Sequence, residues 1–201
     1  MFALIDDQQI TKFFSGNRGV TLGDVQYPKS IFSLWSEAER NAIGIYEVTV
    51  DTTNRKDEQW YINTNVSYGV ESNKAVGSYG TATAKAHADI LFTAHDEIDG
   101  LGTEGEVATR GLKYNLIQTV KRQAAGILQD TDWYIVRKAD AGTAVPSAIT
   151  THRAAVRTKA AEQETAITNA ADTPALETLY TYTTTDGVQS RPLGELPRLD
   201  S

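Results

Sequence analysis

The hydrophobic period changes along the chain, and the two periods occupy different halves. In residues 45–51, Ile-Tyr-Glu-Val-Thr-Val-Asp, successive side chains alternate between two faces in a run rich in β-formers, which is the period of a strand. Beyond Gly111, the residues Leu112, Leu116, Val120, Ala124 and Ile127 return at steps of three or four, and Ile117 and Leu128 widen the stripe. That is the period of an amphipathic helix. Strand signals followed by helix signals read as an α+β chain.

Within the first half, Ile5, Ile10, Phe13 and Phe14 fall near one helical face before the stop Ser15-Gly16-Asn17, so a small N-terminal helix is expected. Pro28 suits a helix start. Residues 30–42 then read either as one helix or as a turn followed by a second helix capped at Ser36, ending at Gly44. Residues 45–51, 59–68 and 75–79 read as a three-stranded antiparallel meander. Alanines at 82, 84, 86 and 88 alternate like a strand but carry helix propensity, and a helix from about Lys85 is expected.

The acidic, glycine-rich run from Asp96 to Gly105 marks an internal boundary. After the helix that starts near Leu112, residues 131–137 interrupt the pattern, and a second long helix over about 148–170 follows, with Ser147 as its cap. Its buried stripe is mostly alanine with Val156 and Ile167, so its partner must approach closely. A short last helix begins at Thr173-Pro174. Residues 181–201 hold two of the five prolines and a Thr-rich run, and they read as an extended arm. The expected organisation is an N-terminal α+β module over 1–104, a helical hairpin over 105–180, and the arm over 181–201.

At 201 residues and 21.9 kDa a self-sufficient core is possible, since roughly 70% of the unfolded surface would be buried. A net charge of −7 opposes attraction to nucleic acid or anionic membranes, so neither is expected as a partner. Zero cysteines exclude disulfides, thiolate nucleophiles and cysteine-based metal sites. No run of 18 apolar residues occurs, and Asp6-Asp7 interrupts the N-terminal apolar stretch, so neither a membrane span nor a signal peptide is expected.

Gly100, Gly102 and Gly105 match the dinucleotide pattern G-x-G-x-x-G, which works by presenting backbone N–H groups to a pyrophosphate after a strand. Here Asp96, Glu97, Asp99, Glu104 and Glu106 surround the glycines and would repel phosphate. A turn is expected and no cofactor. His87 and His95, eight residues apart, stand too far apart on a helix to share one ion, and His152 stands alone, so no metal site is expected. No catalytic constellation is legible, and the chain reads as a non-enzyme. Trp133, Tyr134 and Arg137 sit between the two long helices, either pinning them together or anchoring an interface. Arg153 and Arg157 lie on the following helix, where Glu162 and Glu164 offer partners along the same surface. Trp60, Tyr61 and Tyr68 read as core or as a sugar platform.

Two blocks carry a family resemblance. Residues 27–45, Tyr-Pro-Lys-Ser-Ile-Phe-Ser-Leu-Trp-Ser-Glu-Ala-Glu-Arg-Asn-Ala-Ile-Gly-Ile, resemble an N-terminal motif of small tail proteins of tailed bacteriophages. The run Leu128-Gln129-Asp130-Thr131-Asp132-Trp133-Tyr134, followed by Pro146, Arg153, Val156 and Arg157, is similar to a signature of phage tail-fibre and tail-assembly proteins. Together they touch roughly a third of the chain. The resemblance implies a non-enzymatic structural component of the virion, made in the host bacterial cytoplasm, in contact with fibre or baseplate subunits as a homo- or hetero-oligomer. It also implies an alternative, a tail-fibre assembly chaperone, while the aromatic strand near Trp60 leaves a host-surface glycan-binding module as a further alternative. Trp133, Tyr134, Arg137, Arg153 and Arg157 are the expected binding residues.

Overall fold

The computed structural model describes residues 1–199, and the chain divides into two compact units, Met1–Thr83 and Ala84–Ser201. The fold is α+β. The division falls ahead of the acidic turn expected to mark it, because residues 84–104 are bonded into the second unit.

In the first unit, β1 (Phe2–Asp6) and β2 (Gln9–Phe14) form an antiparallel hairpin where a helix was expected. The same apolar residues serve both patterns, and the deciding element is the turn: Asp7 and Gln8 both adopt positive φ, the geometry that matches strand twist. A second hairpin pairs β3 (Val20–Leu22) with β4 (Val25–Tyr27). Two short helices follow, α1 (Ile31–Leu34) and α2 (Glu37–Ala42), and α2 begins with a reciprocal capping box between Ser36 and Glu39. Of the two readings of residues 30–42, the second is the observed one.

β5 (Ile45–Asp51), β6 (Tyr61–Ile62), β7 (Val66–Glu71) and β8 (Lys74–Tyr79) complete this unit's strands, and β9 (Thr83–Ala84) falls on the boundary in the sequence. The main sheet has the order β2-β1-β5-β8-β7, with β7 antiparallel to β8 and β5 parallel to β8. The expected meander is therefore corrected: β8 lies between β5 and β7, because the tight turn at Ser72-Asn73 fixes β7 against β8 and the longer connection must cross over. The sheet curls until its edges approach, with the Phe13 and Tyr68 rings 5.0 Å apart and the Gln8 amide 2.7 Å from Asn73 Oδ1. Phe14, Val20, Ile31 and Ile45 form the buried core, flanked by Phe2, Leu4, Phe32 and Trp35.

In the second unit, β10 (Ile90–Leu91) pairs with β11 (Val107–Thr109) around α3 (Ala94–Ile98). The helix expected from Lys85 is absent. Residues 86–89 bend without forming a helix because they hold the start of α4 (Leu112–Gln129): Leu112 N–H donates to Ala86 O at 3.0 Å, Lys113 N–H to His87 O at 3.0 Å, and Gly111 N–H to Asp89 Oδ1 at 2.8 Å. These donors have no partner within the helix, and this segment supplies one. A Cβ on Gly111 would lie 2.3 Å from the Ala88 backbone, so only glycine permits the approach.

After α5 (Asp132–Ala141) comes α6 (Ser147–Asn169), antiparallel to α4: Lys113 Nζ donates to Thr168 O at 2.8 Å, Lys121 pairs with Glu164 at 3.5 Å, and Arg153 reaches Leu128 O at 2.7 Å. Val120, Ala124, Val156, Ala160 and Ile167 are buried in this unit. α7 (Thr173–Tyr180) is capped by Asp172. The C-terminal stretch is not an extended arm. β12 (Thr183–Thr185) and β13 (Val188–Ser190) form a hairpin, Leu193 is buried with its N–H on Leu179 O, and Gln163 Nε2 donates to Gly194 O at 2.9 Å. One apolar side chain and these two bonds outweigh the tail's polar, proline-containing composition.

The Gly111 N–H, together with the Arg110 guanidinium at 2.6 Å, holds the Asp89 carboxyl below the usual carboxylate range. A carboxyl more acidic in the folded than in the unfolded chain stabilises above the unfolded value of about 4 and loses that contribution as pH falls through the folded value. Asp89→Asn is therefore expected to lower the urea midpoint at pH 7, and the gap to wild type narrows as the pH is taken from 5 towards 2. A constant gap across that range rules out Asp89 as the anchor of α4.

Candidate interaction site

The join between α4 and α5 is built by one arginine. Helix α4 ends at Gln129, where the Leu128 carbonyl accepts the Thr131 N–H at 3.1 Å and keeps lone-pair capacity for a further donor. Arg153, only 6% exposed, donates from Nη1 to that carbonyl and to Thr131 Oγ1, each at 2.7 Å, while its Nη2 stands 2.9 Å from Asp132 Oδ1. Thr131, itself buried, donates its hydroxyl to Leu128 O at 3.0 Å. The cation thus sits at a helix C-terminus, where charge and orphan carbonyls both favour it, and it carries α6's side chain into the α4–α5 corner.

That corner presents α5 outward. None of its ten residues is buried. The Trp133 and Tyr134 rings stack at 3.9 Å between centroids and 32° between planes, and the Arg137 guanidinium, one turn on, lies 4.6 Å from the first ring and 5.4 Å from the second. Trp133 is half exposed, and Ile135 and Val136 are exposed beside it. Gly142, at φ 68°, ends the helix in the left-handed conformation. Trp133 therefore does not pin the long helices together. Arg153 and Thr131 do, and the aromatic pair with Arg137 forms a preorganised surface.

The five residues singled out in the sequence separate into three roles. Trp133, Tyr134 and Arg137 form one cluster, Arg153 is an internal strut, and Arg157 is exposed with no hydrogen bond or ion pair among the described residues. Lys159, not Arg157, takes Glu162, at 3.2 Å. Trp60 is 3% exposed and Tyr61 5%, so neither can act as a sugar platform. The glycines at 100, 102 and 105 form the turn after α3, where Leu101 N–H returns to Asp96 O at 2.9 Å, and no strand leads into them as dinucleotide binding requires. No helix among the described residues is long and apolar enough to cross a membrane.

Sequence reasoning weighed His152 only as a metal ligand and passed over Gln163. Both are buried on the α6 stripe that also carries Ile149, Val156, Ala160 and Ile167. The available signal was a polar residue at a position where the helical period calls for an apolar one. No family model, no curated protein and no solved structure matches the chain.

The roles predict different energetic outcomes. Arg153→Ala removes charge-assisted bonds to buried acceptors and is expected to cost about 3 kcal/mol in urea unfolding. Asp132→Ala, whose carboxylate is largely solvated, is expected to cost less than about 1 kcal/mol. Equal losses in the two variants would show that the ion pair, not the capping of Leu128 and Thr131, holds the corner.

Proposed function

We propose that the chain is a non-enzymatic structural component of a tailed-bacteriophage virion, making protein–protein contacts in the tail-fibre or baseplate region through α5. The observation that carries this reading is the exposed, preorganised face of α5: stacked Trp133 and Tyr134, Arg137 across both rings, and Ile135 and Val136 beside them. Trp, Tyr and Arg are the residue types that dominate protein–protein hot spots. The whole chain exposes 13276 Å². Two separate compact globules of about 9 and 13 kDa would expose about 11,200 Å² in all. The surplus is surface that a partner can cover, and the motif blocks at 27–45 and 128–157 supply the phage context. In this reading the protein is made in the host cytoplasm and ends in the particle.

A second reading, a tail-fibre assembly chaperone, is favoured by one observation. The C-terminal segment folds back onto its own unit through Leu193 and Gly194, which leaves no free arm there to grip a neighbouring subunit.

Mass spectrometry of purified particles, with wild type and a Trp133→Ala, Val136→Ser variant, tests both. Incorporation is expected for wild type, with at least about tenfold less variant per particle, since truncating a hot spot costs 2 kcal/mol or more. Wild-type stoichiometry in the variant would overturn the role of α5. Absence of the chain from particles, with recovery on unassembled fibre protein, would replace the structural reading with the chaperone one.

A further inference from the structure

The second unit contains a groove of about 1030 Å³ between the α4–α6 pair and the C-terminal segment. Ile127 lines it from α4 and Asp130 from the residue that caps that helix, His152 and Gln163 from α6, and Leu196 and Arg198 from the C-terminal segment. His152 is 8% exposed, yet its imidazole makes no hydrogen bond or ion pair among the described residues. Gln163, 2% exposed, uses Nε2 on Gly194 O and leaves Oε1 without a bond. The side chains are buried but their unpaired atoms open onto the groove, where a ligand can take the place of water.

The charges constrain what that ligand is. Arg191 pairs with Glu195 at 2.8 Å, and Tyr182 donates its hydroxyl to the same carboxylate at 2.5 Å, so these three rim residues satisfy one another. Asp130 and Arg198 remain at the mouth without an ion pair among the described residues. One free charge of each sign favours neither an anion nor a cation. A neutral imidazole offers one donor and one acceptor, Gln163 Oε1 offers an acceptor, and Ile127 and Leu196 offer apolar walls. Polypeptide main chain matches this set, because each residue brings one N–H and one C=O and alternate side chains point to opposite sides.

We propose that this groove binds an extended peptide segment of a partner polypeptide, its main chain paired with His152 and Gln163. The two residues stand eleven positions apart on α6, about 16 Å at 1.5 Å per residue, which an extended chain covers with about five residues. Asp130 and Thr131 line the groove and lead directly into α5. The groove is a second site, and its occupancy does not depend on α5 being an interface.

The test uses the full-length chain labelled with nitrogen-15 and a random heptapeptide display library, from which the enriched sequence is synthesised. The expected result is that the synthetic peptide shifts the His152 ring signals while those of His87 and His95, both outside the groove, stay in place. Leu196→Trp, which fills the groove, and Arg198→Glu, at its exposed mouth, are expected to weaken binding, the former by at least about tenfold. Should Leu196→Trp fail to fold, Arg198→Glu carries the comparison. No enriched peptide, a bound peptide that moves the Trp133 indole signal and not His152, or inorganic phosphate alone reproducing the His152 shift would each overturn the proposal.

Discussion

The ends of α4 govern the second unit. An α-helix leaves its first N–H and last C=O groups without internal partners, and in α4 both ends are satisfied by segments distant in sequence. Residues 86–89 supply the acceptors at the start, and Arg153 with Thr131 supplies the donors at the finish. The arrangement is reciprocal, because Lys113 in the first turn of α4 donates to Thr168 O in the last turn of α6. Each long helix therefore completes an end of the other. Antiparallel pairing and register follow from these polar contacts, and the small side chains between the helices then set how closely they approach.

Several features of the molecule follow from that constraint. Residues 86–89 carry alanine-rich, helix-favouring sequence but stay non-helical, since winding them into a helix would consume the carbonyls that α4 requires. Thr173 Oγ1 donates to Lys85 O at 2.6 Å and ties the same segment to the start of α7. At the opposite end, the guanidinium that closes α4 occupies the corner, which turns α5 outward and leaves its aromatic face uncovered.

What the sequence disclosed was whatever one element decides alone. The α4 stripe, the capping box at Ser36 and the strand at 45–51 depend on local period or local caps, and all are present. Of the α6 stripe Val156 and Ile167 are buried as expected, but Ile149, His152, Arg153 and Gln163 stand where alanine was expected, and the helix starts after Pro146 with no Ser147 cap bond. What failed depended on distant partners. Ile5, Ile10, Phe13 and Phe14 suit a helix or a hairpin equally, and Asp7-Gln8 lacks the glycine that would have announced the turn. The parallel placement of β5 and β8 has no local signature at all. On α5, residue types marked Trp133, Tyr134 and Arg137 as a group and the structure brings their side chains together, while Arg153 looked like one more surface cation because its acceptors lie on another helix. The polar interruptions at His152 and Gln163 were legible as departures from period, but their convergence on the C-terminal segment was not.

The character of the uncovered surface bears on what covers it. Exposed apolar side chains on α5 favour association, but the net charge of −7 makes every pair of identical chains repel at long range. The cations near α5 do not reverse this between copies. Arg153 is committed inside the corner and Arg137 is held over its own rings, while exposed Lys138 stands with Asp132 and Asp140 on α5, so the helix itself carries no net charge. A symmetric contact through α5 therefore gains no net attraction from the helix's own charges to offset that repulsion, and only a short helix's worth of apolar area. A different polypeptide with a complementary charge pattern meets no such opposition, so the physics of this face argues for a heterologous partner over a second copy of the chain.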